Sequence, residues 1–365
     1  MDSNKRLASL DTLRGFDMMF IMGVSTLIVA ICQLFPNGAD CWIARQMGHV
    51  DWNGLRHHDT IFPLFLFIAG ISFPFSHAKQ LSKGAGTGQV YWKIIRRSLT
   101  LVLFGFLCNG LLRFKFDHIR IYSVLTRIGL AWMFAALLFI NFKPKARAII
   151  AGVILIGYWF LCMIPAPDVP GADPLSQDGC LVGYIDRTLF PGHLYNGNFD
   201  PEGLLSLLPS IVTAMLGMFT GEYVRKEDIT GNRKTLMMFA AAAAMLAVGL
   251  IWSHWLPVNK KLWSSTFVLV VGAYSLAMFA LFYWIIDVKG CDGLTMPFKV
   301  IGMNSITIYM APRIINFNYA RDFFLKGVVE LCPDPVGKVI NYAGYVLVCW
   351  LFLYFLYRKK IFLKI

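Results

Sequence analysis

Charge is what this chain has least of. Only 15% of its 365 residues are Asp, Glu, Lys or Arg, against about 25% in a soluble globular domain. With 57% hydrophobic residues, that scarcity excludes both a soluble enzyme of ordinary composition and a disordered chain. Metal-ligand spacing is missing too: the eight cysteines contain no C-x-x-C pair, so neither a zinc nor an iron–sulfur site is supported. Cys32, Cys108, Cys162 and Cys349 read as apolar filler within helices. Of Cys41, Cys180 and Cys332, which fall on the predicted outer side, at most one pair could oxidise. There is no tandem repeat and no low-complexity tract. The longest non-apolar stretch is the loop at about 163–202, which leaves no room for a soluble domain.

What the chain does have is a series of apolar runs of roughly 18–25 residues, the length that crosses about 30 Å of hydrocarbon. About ten are expected, near 15–34, 60–78, 97–112, 122–141, 147–165, 203–222, 235–255, 264–286, 298–316 and 339–357. The third and ninth are short or interrupted by polar residues. The expected fold is all-α, a polytopic transmembrane helix bundle forming one domain over 1–365. The first run is longer than the core of a cleavable signal, and no small-residue cleavage site follows it before Phe35-Pro36.

Lys and Arg outnumber Asp and Glu by 34 to 21, a net charge of +13. They collect in alternate connections: Lys5, Arg6 and Arg14; Lys79, Lys83, Lys93, Arg96 and Arg97; Lys143, Lys145 and Arg147; Arg225, Lys226, Arg233 and Lys234; Arg358, Lys359, Lys360 and Lys364. The positive-inside rule therefore puts both termini in the cytoplasm, although Arg113, Lys115 and Arg120 crowd one outer loop. Most of the surplus reads as topology, with Arg14, Arg97, Arg120 and Arg127 left over for an anionic partner; no nucleic-acid partner is expected.

In a bilayer, the ionisable residues at or inside apolar runs are the informative ones. Asp11, Arg14 and Asp17 sit at the mouth of the first run, either as a capped and snorkelling helix start or as the rim of a polar vestibule. His49, Trp52, Asn53, His57, His58 and Asp59 lead into the second. That group is either a solvated loop with an interfacial Trp or a proton-handling site, since His titrates near neutral pH. Arg97, Arg120 and Arg127 flank or enter apolar runs. Arg127, about one turn inside its run, either pairs with a carboxylate such as Asp11 or Asp17 or lines a cavity for an anion, where a guanidinium binds two oxygens at once. The Gly84–Gly88 stretch precedes no strand–turn–helix and reads as a flexible linker. In the long loop, Asp186 and Arg187 precede Asp200-Pro201-Glu202, a good helix start. A loop of that length is more often functional than idle. Asn304 and Ser305 place an amide and a hydroxyl in the ninth run, suited to helix–helix hydrogen bonds or to a ligand.

Taken together these stretches resemble the heparan-α-glucosaminide N-acetyltransferase family. The resemblance runs in order through Ser9-Leu10-Asp11-Thr12-Leu13-Arg14-Gly15, His49-x-x-Trp52-Asn53-Gly54-Leu55 and Asp59-x-x-Phe62-Pro63. It continues through Arg120-Ile121, Arg127, Gly183-Tyr184-Ile185-Asp186-Arg187 and Asp200-Pro201-Glu202-Gly203. It ends with Pro257-Val258-Asn259-Lys260, Gly302-Met303-Asn304-Ser305-Ile306 and Tyr357-Arg358-Lys359-Lys360-Ile361-Phe362. The resemblance implies that His49 holds the place of the active-site histidine. It also implies that acetyl-CoA is the donor, taken from the cytoplasm, that an amino-sugar acceptor approaches from the opposite side, and that the protein is a homodimer. The lysosomal members carry an amino-terminal extension not seen here, so the compact form looks like a bacterial inner-membrane version. Two positions depart from the pattern. Ser25 stands where the family has Asn in the first span, and Pro312-Arg313 replace a His-Glu pair.

On this reading His49 is the base or the acetyl carrier, Asp59 orients it, and Asn53, Asn304 or Ser305 offers an oxyanion donor. Arg14, Arg97, Arg120 and Arg127, with Asn304 and Ser305, would hold the polyanionic donor. Trp52, Asp186, Arg187, Asp200 and Glu202 would meet the acceptor, and no metal is required. The rival readings are a secondary transporter of a sugar or anionic solute, which would favour inverted repeats, and an O-acyltransferase acting on a cell-surface glycan.

Overall fold

The computed structural model describes residues 7–363 except 115, 117, 118, 292 and 294; the basic residues Lys5, Arg6, Lys115 and Lys364 lie outside the described residues. Every regular element among the described residues is helical. Those of six residues or more are, in chain order, α1 (Ala8–Cys32), α2 (His57–Ser82), α3 (Thr87–Cys108), α4 (Val124–Asn141), α5 (Pro144–Cys162), α6 (Leu181–Leu189), α7 (Leu207–Val224), α8 (Gly231–Trp252), α9 (Ser265–Val288), α10 (Met296–Met303), α11 (Ser305–Met310), α12 (Phe317–Leu331) and α13 (Asp334–Arg358).

Eight of these are long and apolar enough to cross a bilayer: α1, α2, α4, α5, α7, α8, α9 and α13. The chain is thus a multi-pass membrane protein. The two runs that were short or interrupted fare differently from the rest. The run at 97–112 becomes α3, which begins at Thr87 and carries Lys93, Arg96 and Arg97 through its first half. The run at 298–316 breaks at Asn304, whose backbone (φ −126°, ψ 32°) separates α10 from α11.

Local chemistry sets where the helices start. Ser123 caps α4 by accepting the Thr126 N–H, and Ser264 caps α9 through the Phe267 N–H at 3.2 Å. Pro144 opens α5 at a position where its missing N–H costs nothing. At α2 the Asp59 carboxylate turns back to accept the Arg56 N–H at 3.1 Å, so the residue of chemical interest is also a cap. The amino end of α1 lacks a cap of its own. Asp287 of α9 serves instead, accepting the Ala8 and Ser9 N–H groups at 3.2 and 3.3 Å.

Packing is tightest where α2 crosses α7. Lipid tails are as apolar as Leu, so helices in a bilayer associate by close approach rather than by expelling water. The Gly217-Met218-Phe219-Thr220-Gly221 stretch of α7 permits that approach. A Cβ on Gly217 would lie 2.1 Å from the Phe67 carbonyl oxygen, and one on Gly221 2.4 Å from that of Ile71. Around this seam Phe62, Leu66, Trp132, Trp263 and Phe267 form the largest apolar cluster. Midway along α1 the chain makes a π-helical turn at Phe20–Val24, a distortion often found beside functional sites.

At one end of the bundle four connections are tied together. The Gly54 N–H donates to Val258 O at 2.8 Å, Asn259 Nδ2 to Asn53 Oδ1 at 3.1 Å, Trp52 Nε1 to Leu175 O at 2.7 Å, and the Ile121 N–H to His193 O at 3.4 Å. This end carries His49 and the long loop.

Candidate functional site

His49 follows a single helical turn (Trp42–Gln46) and precedes α2. Its Nδ1 lies 2.7 Å from Asp59 Oδ1. The Asp59 side chain is 2% exposed, whereas that of His49 is 55% exposed, so the carboxylate is fixed behind an imidazole that solvent can reach. Asp59 Oδ2 accepts the N–H groups of Val50 and Arg56 at 3.3 and 3.1 Å. Arg56 Nη1 holds the His49 carbonyl at 2.7 Å. Two further groups complete the cluster. Lys260 Nζ is 3.0 Å from His49 Nδ1 and 3.3 Å from Asp59 Oδ1, and the His58 ring packs edge-on against that of His49 at 4.6 Å. Ser25, the departure in the first span, reaches His58 Nδ1 at 3.2 Å. Burial pushes the Lys260 amine below its usual range, and Asp59 opposes that shift.

Asn53 and Trp52 lie in the same loop. Asn53 is exposed and its Oδ1 accepts from Asn259. The Trp52 ring packs against Phe199 at 5.4 Å, with Lys261 Nζ 5.7 Å from its centroid.

The arginines divide into two groups. Arg14 and Arg97 share a cavity of about 240 Å³ with Phe65, Ile128, Ser305 and Phe362. Arg97 lies over the Trp132 ring at 4.2 Å, and Arg14 Nη2 reaches Ser72 Oγ at 3.3 Å. A whole small-molecule site is typically ~300–1,000 Å³, so this cavity fits part of a CoA-sized ligand. Asn304 is not in its lining, although its neighbours Met303 and Ser305 are, and its amide is engaged. Its Nδ2 donates to Ile361 O at 3.0 Å and its Oδ1 accepts the Leu363 N–H at 3.3 Å.

Arg120 and Arg127 lie elsewhere. Arg120 grips Asp200 bidentately, at 2.8 and 2.6 Å, and also bonds Glu202. Arg127 is buried and reaches Gly203 O at 3.3 Å and Ser206 Oγ. Its carboxylate neighbours are Glu202, Asp200 and Asp186, where the sequence suggested Asp11 or Asp17. The turn at 200–206 is therefore clamped by two guanidiniums drawn from the other side of the sequence.

Asp186 and Arg187 are likewise committed. Asp186 is fully buried and accepts the Leu204 N–H at 2.9 Å; burial pushes its carboxyl up to about 6. Arg187 makes a bidentate pair with Asp168 at 2.5 Å. Of the acceptor-side residues, only Trp52 joins the His49 loop; Asp200 and Glu202 tie the long loop to Arg120, Arg187 bonds within that loop, and Asp186 holds the Leu204 N–H that follows it.

Lys260 was the residue whose chemistry the sequence did not reveal. Its only signal was its place in the Pro257–Lys260 stretch, and it lies 211 positions from its partner. All eight cysteines are free, and among the described residues no three His, Cys, Asp or Glu side chains are grouped to hold a metal.

The family model for the catalytic part of heparan-alpha-glucosaminide N-acetyltransferase matches residues 6–258. The human heparan-alpha-glucosaminide N-acetyltransferase is 30% identical over 99% of this chain and 60% of its own length. The mouse protein of that name is 28% identical over all of this chain and 61% of its own. The chain thus spans about 60% of the length of the curated relatives it matches. With the family model covering well over half of the chain, and with the matched span containing the His49–Asp59 pair, the chain belongs to the heparan-alpha-glucosaminide N-acetyltransferase family.

Proposed function

We propose that this protein is an integral-membrane acetyltransferase that moves acetyl from cytoplasmic acetyl-CoA to the amine of a glucosamine-type sugar on the opposite side. The observation that carries the reading is the His49–Asp59 pair: a reachable imidazole whose Nδ1 is held at 2.7 Å by a buried carboxylate. That bond occupies Nδ1 and leaves Nε2 as the ring nitrogen to act as a general base.

In direct transfer the acceptor amine loses a proton to His49 Nε2 as its nitrogen attacks the thioester carbonyl. The C–N bond forms, the C–S bond breaks, and the proton passes on to the departing thiolate. A base so placed contributes about 10²–10⁴-fold. The alternative course forms an acetyl-His49 first and passes the acetyl group to the amine afterwards. Asn53, in the same loop, supplies an amide for the oxyanion. Trp52, its indole N–H held on Leu175 O, offers a ring face to the sugar.

For the donor we favour the cavity of Arg14, Arg97 and Ser305. It brings two guanidiniums together, Arg14 also pairing with Asp11 at 3.4 Å, while Arg120 and Arg127 are engaged with the 200–206 turn. In this proposal α3 and the broken α10–α11 segment complete about ten crossings of one domain spanning 1–365. Both termini lie in the cytoplasm, and in a bacterial inner membrane His49 then faces the periplasm. The supporting feature is the alternation of basic connections.

The test supplies acetyl-CoA to the purified protein with glucosamine or N-acetylglucosamine and follows the product by mass spectrometry. Acetylation of glucosamine alone is expected. Acetylation of both would indicate an O-acyltransferase. Failure of CoA to raise the melting temperature would favour a transporter.

A further inference from the structure

Lys260 sits in the short connection between α8 and α9, two positions beyond the end of the family match. A lysine at a membrane edge ordinarily extends its stem and leaves its amine in water. This one turns inward: its side chain is 21% exposed, with Nζ against His49 and Asp59. The connection leaves it little freedom. Buried Asn259 accepts the Leu262 N–H at 2.8 Å and donates its own N–H to Ser264 Oγ at 3.0 Å. Ser264 and Thr266 both bond Pro257 O, at 2.8 and 3.0 Å. The same connection carries two of the bonds that fasten the His49 loop, through Gly54 and Asn53. Lys260 and His49 are therefore mounted on one frame.

Counting hydrogens decides what the contact means. A neutral imidazole nitrogen either donates or accepts, never both. If His49 Nδ1 gives its hydrogen to Asp59 at 2.7 Å, it has no lone pair for Lys260, and the ammonium must donate to Asp59 instead. If Lys260 donated to Nδ1, the ring hydrogen would move to Nε2 and the base would be lost. The shorter contact, to a carboxylate that also receives two backbone N–H groups, selects the first arrangement. Once His49 takes up a proton, two cations stand 3.0 Å apart across one shared carboxylate.

We propose that Lys260 is a positioning residue of the acetyl-transfer site, whose ammonium acts through Asp59 to hold His49 in the Nδ1–H form and to oppose its charging. Nε2 thus stays open as the base and gives up its proton to the thiolate once the C–S bond breaks. This rests on His49 being the base. The other groups facing His49 are His58 and Asp59 from α2 and Arg56, whose guanidinium holds the His49 carbonyl. Lys260 is also faced by Glu202 of the long loop and Arg127 of α4.

The experiment measures kcat/KM for acetyl transfer from acetyl-CoA to glucosamine against pH, using full-length wild type, Lys260→Met, Lys260→Arg and His49→Ala. Removing a neighbouring cation should move the acid limb of the Lys260→Met profile to higher pH by about one unit or more. The loss should fall in kcat, with KM for acetyl-CoA unchanged, and Lys260→Arg should restore the limb. If the methionine variant does not fold, Lys260→Gln carries the same expectation. A wild-type profile in Lys260→Met or Lys260→Gln, with His49→Ala inactive, would overturn the role of Lys260 and leave the base intact. Wild-type turnover in His49→Ala would overturn the base itself.

Discussion

Replacing Asp200 by Ala should destabilise the protein without touching the proposed chemistry. The carboxylate is fully buried and takes four hydrogen bonds: two from Arg120, at 2.8 and 2.6 Å, and one each from the Tyr195 and Glu202 N–H groups, at 3.0 and 2.9 Å. Removing one partner of a buried ion pair costs about 3–5 kcal/mol, and orphaned backbone donors add to that. Glu202 stays on Arg120 and offsets part of the loss, so the lower end, about 3 kcal/mol, is expected. The assay is a double-mutant cycle of Asp200→Ala and Arg120→Met, followed by reversible unfolding in detergent. The singles should each be costly and the double much less than additive, with a coupling of about 1–3 kcal/mol. Additive effects, or an Asp200→Ala protein as stable as wild type, would refute the clamp. A rise in KM for acetyl-CoA in Arg120→Met with stability unchanged would return Arg120 to the donor.

Three further outcomes follow. Gly203→Ala should fail to accumulate folded protein, because its Cβ would fall 1.7 Å from Asp186 Oδ2; normal yield and melting temperature would contradict this. Burial raises the folded Asp186 carboxyl to about 6, so the folded state holds its proton more tightly than the unfolded one. That contribution to stability is present at low pH, is lost as pH rises from the unfolded value toward 6, and stays lost above it. The melting temperature of Asp186→Asn minus that of wild type should therefore grow between about pH 4 and 6 and then level off; a difference independent of pH would refute the linkage. Arg97→Met should weaken stabilisation by CoA by about tenfold or more in apparent Kd, as expected for the loss of one charge-assisted phosphate contact. An unchanged CoA affinity would move the donor out of that cavity.

How much of this was legible beforehand depended on the range of the interaction. The eight long spans were readable because hydrocarbon thickness dictates their length. The run at 97–112 was less so, because α3 starts in a basic stretch where hydropathy is silent. The break at Asn304 is settled by contacts to Ile361 and Leu363, remote in sequence. His49 and Asp59 could be paired because a carboxylate at the start of an apolar run is expensive without a partner, and the two are only ten positions apart. Arg120 and Arg127 could be recognised as needing partners, but which partners depended on a turn 76 to 82 positions away. Lys260 gave no signal by its type or spacing; only the fold brings it to His49.

The central claim is that His49 carries acetyl transfer. The most direct measurement is a comparison of wild type and His49→Ala, matched for melting temperature, for the rate of acetyl transfer from acetyl-CoA to glucosamine. The account predicts a fall of about 10²-fold or more, with CoA still raising the melting temperature of the variant. Turnover at the wild-type rate would contradict it.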